Sequence, residues 1–216
     1  MSPDEDPWST LRRWFPGFPE ETWVKLRSYA TLLREWNQKI NLVSRKDIDR
    51  LESKHLAHCL TLTKFLRLMP KARLLDAGTG GGLPGIPLAI CYPQAQFTLL
   101  DSTAKKIVAV KNMIEEIGLC NAETRCSRVE ELPSRKSYDF VIGRGVSSLQ
   151  NFFKWTSDKI AKSERHSPAN GILYLKGGDY NEALKSSGLH PKTTWNLSEL
   201  LPEAGLDEKY LIHFKV

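Results

Sequence analysis

The sequence predicts a doubly wound α/β sheet of the Rossmann-like kind, mostly parallel, with an antiparallel C-terminal strand and a helical N-terminal extension. Three observations carry this. Residues Arg73 to Ser102 read as strand, glycine-dense turn, helix and second strand, a βαβ unit of about thirty residues. Strands and helices then keep alternating, which calls for a sheet covered by helices on both faces. The last two strand candidates lie too close together for a helical crossover, so they pair antiparallel. The expected division is a helical extension over residues 1–70, packed on a main domain over residues 71–216.

Taken in order, residues 1–19 hold four prolines with Trp8, Trp14, Phe15 and Phe18, and Pro16-Gly17 punctuates them. From Glu20, Trp23, Leu26, Tyr29, Ala30, Leu33 and Trp36 recur at three- and four-residue spacing, which predicts a helix ending near Asn37–Asn41. Because Trp23 and Trp36 share its apolar face, they read as core and not as a base-stacking platform. A second helix is predicted from Ile48 to Leu68, stopped by Met69-Pro70. Leu74 and Leu75 open the first strand, and Asp101 closes the second. Lys105 to Gly118 predicts a helix with Gly118 as its cap. A strand follows at 122–126, then a turn into a short helix at 127–132. A strand at 138–142 ends at Gly143-Arg144-Gly145, a helix spans 149–160, and a strand at 172–175 ends at Lys176-Gly177-Gly178. A short helix at 182–187 and closing strands at 193–200 and 209–216 complete the chain.

Composition bounds the function classes. The chain has 216 residues and a net charge of +6, a moderate bias toward a polyanionic partner. Cys59, Cys91, Cys120 and Cys126 form no C-x-x-C pair, so reduced cytosolic thiols are expected and no metal site. His55 and His58, one helical turn apart, lack a third ligand. No apolar run approaches the roughly 18 residues of a membrane span. The acidic start, MSPDEDPWST, fits neither a secretory nor an organellar signal. A soluble cytoplasmic protein is expected.

The glycine loop at Gly78, Gly80, Gly81, Gly82 and Gly85 stands where strand passes to helix, where a backbone must turn sharply and approach a ligand closely. It lacks the Lys-Ser/Thr of a phosphate-cradling P-loop. Asp101, at the tip of the next strand, can accept hydrogen bonds from both ribose hydroxyls of a nucleoside-bearing cofactor. In an open α/β sheet ligands bind beyond the carboxyl ends of the strands. Gly78–Gly82, Asp101, Ser127–Glu130, Arg144 and Lys176 all fall at such ends, which points to a single site.

The loop DAGTGGGLPG, answered by Asp101, looks like the S-adenosylmethionine loop of class I methyltransferases. Together, LLDAGTGGGLPGIPLAI, TLLDS, SRVEEL, GRGVSSL and LKGG, in this order, resemble the glucose-inhibited division protein B family. EWNQKINLVS and KHLAHCL resemble that family's N-terminal helices. The likeness spans roughly residues 33 to 178. It implies a class I methyltransferase that uses S-adenosyl-L-methionine to methylate N7 of a guanine in 16S ribosomal RNA, free or in the small ribosomal subunit particle, and works as a monomer without a membrane. It also implies that Gly78, Gly80, Gly82 and Leu83 line the cofactor pocket, that Asp101 takes the ribose, and that Val129 and Glu130 flank the adenine. Arg144 sits at the centre of the family's Ser-Arg-Ala motif, here Gly143-Arg144-Gly145, which suggests a more flexible backbone. His58 and Cys59 stand where the family has Asp and Ser.

Guanine N7 has an exposed lone pair and no proton, so attack on a sulfonium methyl needs alignment and not a general base. Arg144 is the expected active-site side chain, donating to guanine O6 or to the methionine carboxylate. Lys105, Lys106, Arg125, Arg128, Lys176, Arg45 and Lys46 are the candidate phosphate contacts. Two other readings stay open. One is a methyltransferase-like RNA-binding or assembly protein without catalysis. The other is a nicotinamide-dependent oxidoreductase, which the closing strand pair and the lack of a second domain disfavour.

Overall fold

A computed structural model describes residues 6–163 and 165–216. Seven strands form one sheet in the order β3-β2-β1-β4-β5-β7-β6. They are β1 (Arg73–Ala77), β2 (Gln96–Asp101), β3 (Ala122–Cys126), β4 (Phe140–Arg144), β5 (Gly171–Gly177), β6 (Thr193–Asn196) and β7 (Lys209–Lys215). The first five pair in parallel, and β7 runs antiparallel between β5 and β6. This is the expected architecture. β1 is flanked by β2 and β4, so the chain reverses its winding there, and the crevice at such a switch point receives ligands.

The helices are α1 (Pro7–Trp14), α2 (Glu20–Lys39), α3 (Ala57–Leu60), α4 (Leu62–Phe65), α5 (Gly85–Cys91), α6 (Ala104–Ile117), α7 (Leu149–Thr156), α8 (Tyr180–Ser187) and α9 (Leu197–Leu200). Helix α1 was not evident in the proline-rich sequence. Its signals are local: Pro7 occupies the first turn, where no amide is needed, and the Asp6 carboxylate accepts from the amides of Trp8 and Ser9. In α2, Trp23, Leu26, Tyr29, Ala30 and Leu33 are buried and Trp36 is half-buried. Trp36 Nε1 donates to Asn112 Oδ1 of α6 at 3.1 Å. The Tyr29 hydroxyl donates to the Gly81 carbonyl at 2.8 Å. The N-terminal helices therefore share one core with β1 and β2 and reach the glycine loop itself.

Three sequence expectations are corrected. The single helix over 48–68 is instead a 3-10 turn (Ile48–Arg50), a wide π turn (Leu51–Leu56) and the short helices α3 and α4. Glu52 in the π turn is buried against Arg34 in a two-pronged ion pair at 2.9 and 2.6 Å. The Thr61 hydroxyl bonds back to the His58 carbonyl at 2.6 Å, which favours a bend. Leu66, not Met69, leaves helical space. Strand β4 lies two residues later than predicted, because parallel pairing with β5 carries it to Arg144. The strand predicted over 193–200 ends at Asn196, whose side chain caps α9 by accepting from Ser198 N at 3.2 Å.

The Gly143-Arg144-Gly145 motif is also not a flexible hinge. Gly143 lies inside β4, where a Cβ would overlap the ring of Phe152 from α7. That ring packs edge-on against Tyr174 at 4.9 Å between centroids. Gly145, at φ +63°, adopts a left-handed conformation that side chains disfavour. Glycine at 143 is thus a packing requirement set by an aromatic partner. Gly143→Ser should destabilise the fold by about 1–3 kcal/mol through overpacking. A companion Phe152→Leu should recover part of that loss. Urea unfolding of the parent and the two variants checks this; a Gly143→Ser midpoint equal to the parent's would contradict it.

Candidate active site

The site begins at a buried carboxylate. Asp76 Oδ2 accepts from the Thr79 hydroxyl at 2.6 Å and from the Gly85 amide at 2.8 Å. One oxygen atom thereby holds both sides of the glycine loop and the first turn of α5. The amides of Gly78 and Thr79 both donate to the Leu100 carbonyl at 2.8 Å, tying the loop to β2. Burial raises the Asp76 carboxyl to about 6, against the downward pull of its two donors. Gly78 has φ +78°, and a Cβ there would lie 2.7 Å from both methyl carbons of Val146. This close approach brings the segment after β4 against the loop.

Beyond the strand ends lie two cavities. The first, about 370 Å³, is lined by Gly78, Asp101, Thr103, Lys106, Arg128, Val129, Glu130, Val146 and Trp155, among others. Asp101 Oδ1 accepts from Thr103 N at 2.8 Å and Oδ2 from Gly80 N at 3.1 Å. Lys106 Nζ stands 3.8 Å from that carboxylate. The 3-10 turn Val129–Glu131 also lines it, and the first amides of such a turn have no partner within it. A carboxylate, turn amides and the apolar side chains of Val146 and Trp155 in one cavity fit a ribose-linked aromatic base.

The second cavity, about 380 Å³, is lined by Arg144, His55, His58, Lys54, Asp47, Leu175 and Lys209, among others. Gly145 belongs to both cavities, so they meet across a residue with no side chain. Arg144 Nη1 lies 2.7 Å from His55 Nδ1. Burial first, and then the charge of Arg144, lowers His55 to about 4. The same two causes lower His58, which is almost fully buried. Lys54 is paired with Asp47. The cavity therefore presents the Arg144 guanidinium beside neutral imidazoles, with Lys209 and Asp207 also in its lining.

The residues expected in the cofactor pocket divide into three groups. Gly78, Asp101, Val129 and Glu130 line the first cavity. Gly80, Gly82 and Leu83 shape the loop behind it: Gly80 through Asp101, and Gly82 and Leu83 by amides donated to Thr79 O at 2.9 and 3.0 Å. Arg144 lies in the second cavity. Of the expected phosphate contacts, Lys106 and Arg128 face the first cavity. Lys105 is exposed on α6 and Arg125 on the edge strand β3, and Lys46 is exposed too. Arg45 borders a separate groove with Arg34 and Asn37. Lys176 folds onto the carbonyl of its neighbour Gly177. Lys54, Lys209, His55 and Trp155 were not predicted at either cavity. Lys209 arrives by the antiparallel pairing of β7 with β5, opposite Gly177, which no local pattern announces.

This sheet order, with a glycine loop after β1 and an acid ending β2, defines a class I methyltransferase fold. A geranyl diphosphate methyltransferase, solved with S-adenosylmethionine, superposes with a TM-score of 0.55 at 16% identity, covering 79% of this chain and 88% of that one. At that identity the likeness speaks for the fold alone. The chain belongs to the GidB family, described as rRNA small subunit methyltransferase G, which matches residues 23–191. Ribosomal RNA small subunit methyltransferase G of Flavobacterium johnsoniae is 39% identical over 203 residues, 94% of this chain and 95% of the relative. The protein of the same name from Christiangramia forsetii is 45% identical over 175 residues, 81% of this chain and 82% of that one.

The buried titratable groups oppose one another. His55, His58, His166 and His213 are all lowered by burial. The unfolded chain then binds more protons than the folded one, and stability is lost as pH falls from about 6.5 toward 4. Asp76, raised to about 6, acts in the opposite sense, since its charged form is disfavoured as pH rises from 3.8 through 6. Asp76→Asn removes that opposition, so its stability should fall more steeply between pH 7 and 5 than the parent's. Denaturant midpoints at pH 7, 6 and 5 test this; parallel profiles would mean that Asp76 does not titrate there.

Proposed function

We propose that this chain transfers a methyl group from S-adenosylmethionine to N7 of a guanine in 16S ribosomal RNA. It acts as a monomer in the cytoplasm, on the RNA or on the small ribosomal subunit particle. The observation that carries the reading is the pair of cavities meeting at Gly145, one beside the glycine loop with the Asp101 carboxylate in its lining and one around the Arg144 guanidinium. Membership of the rRNA small subunit methyltransferase G family supports it, and no helix among the described residues is long and apolar enough to cross a membrane.

The cofactor, when bound, supplies an electrophilic methyl on a sulfonium. Asp101 accepts hydrogen bonds from the ribose hydroxyls, and Val129 and Glu130 flank the adenine. The backbone at Gly78 and Gly145 walls the methionine side without side chains. Arg144 donates to guanine O6 and leaves N7 free, because a donor on N7 would occupy the attacking lone pair. Alignment and exclusion of water then suffice, since N7 has no proton to remove. Lys54 and Lys209 beside Arg144, with Arg45, Lys46, Lys105, Arg125 and Lys176 further out, attract the RNA phosphates, so binding weakens steeply with salt. The helices of residues 1–70 support the methyltransferase domain of residues 71–216 through α2.

Mapping guanine-N7 methylation in ribosomal RNA from cells with and without the gene tests the reaction. One guanine should lose its methyl group in the deletion and regain it on complementation. Unchanged methylation would overturn the reading. Cofactor binding without transfer would favour an assembly protein. By calorimetry, Asp101→Ala should weaken S-adenosylmethionine by about 1–3 kcal/mol, the cost of a charged hydrogen bond. Unchanged affinity would remove Asp101 from the cofactor site.

A further inference from the structure

A long side chain at a strand end beside an open cavity loses its rotamer freedom only if something holds it. Among the described residues, the hydrogen-bond partner of Arg144 is His55, at 2.7 Å. A guanidinium carries five N–H donors and no acceptor. The Nδ1 of His55 must therefore offer its lone pair, and the ring proton must sit on Nε2. That Nε2 is buried and has no hydrogen-bond partner.

An orphaned buried N–H is normally avoided. Here it is the consequence of the tautomer that Arg144 imposes. Burial and the neighbouring guanidinium keep the ring neutral, the form able to accept. The neighbouring cation Lys54 is engaged by Asp47 and does not compete for the ring. The π turn Leu51–Leu56 delivers His55 to this place, and such wide turns re-aim side chains at functional sites.

We propose that His55 is a positioning residue, whose Nδ1 holds the Arg144 guanidinium in the second cavity in the orientation that grips the incoming guanine. This rests on the methyl-transfer reading above. It concerns only how Arg144 is held, and His55 makes no contact with reacting atoms.

Two substitutions separate an acceptor from a space-filler. His55→Phe keeps a ring but removes the lone pair. His55→Asn restores an oxygen near the place of Nδ1. With saturating S-adenosylmethionine and small-subunit particles as substrate, His55→Phe should lose about tenfold or more in kcat/KM, the scale of one charge-assisted hydrogen bond. His55→Asn should regain most of it, and calorimetric affinity for the cofactor should stay unchanged in both. In an Arg144→Ala background, His55→Phe should cost no further affinity for the particle, because the residue it positions is gone. Full activity of His55→Phe, failure of His55→Asn to rescue, or an equal loss in the Arg144→Ala background would each overturn the inference. A parent protein that transfers no methyl group would bring down the underlying reading and this inference with it. An active parent indifferent to His55 would bring down the inference alone.

Discussion

The Asp76 carboxylate is the constraint on which the ligand face depends. It sits at the end of β1, buried, and one of its oxygens takes both the Thr79 hydroxyl and the Gly85 amide. Those bonds set the width of the glycine loop and the start of α5. The loop's outer amides are then free to reach sideways, to Leu100 and Asp101 on β2. Tyr29 braces the same loop from above through Gly81. An Asp is costly to bury, and its raised pKa records that cost. The fold accepts it because no apolar side chain could accept two hydrogen bonds at one point.

The second organising feature is the division of labour between cavities. Asp101 and the turn at Val129 belong to strands on one side of the switch point, and Arg144 ends β4 on the other. The contact between Gly78 and Val146 draws the two sides together. Between the two cavities stands Gly145, which carries no side chain. Such an arrangement can hold two charged ligands face to face without a side chain between their reacting atoms.

The sheet and its ligand face were legible because each rests on short-range pattern. Glycine density after an apolar run marks the loop, and an acid closing the next strand marks Asp101. Helix α1 was hidden because prolines signal punctuation, while Pro7 in a first turn with Asp6 as cap supports a helix. The π turn was hidden because its cause, Glu52 seeking Arg34, lies on another helix. The partnership of Arg144 with His55 spans 89 residues, and no local spacing could reveal it. Gly143 misled because the sequence shows a missing side chain and not the Phe152 ring that fills its place.

The two cavities also differ in how much of the chain lines them. Every residue lining the first lies between Gly78 and Trp155. The second needs Asp47 to His58 from one end and Gly205 to Lys209 from the other. Tyr174 of β5 still fixes the first from outside, its hydroxyl bonded to the backbone of Ser147 beside Val146. The wall around Arg144 is completed by Lys209, where β7 begins its pairing with β5. The first is thus lined by one continuous stretch of chain, and the second exists only because the antiparallel placement of a single strand brings the two ends of the chain together.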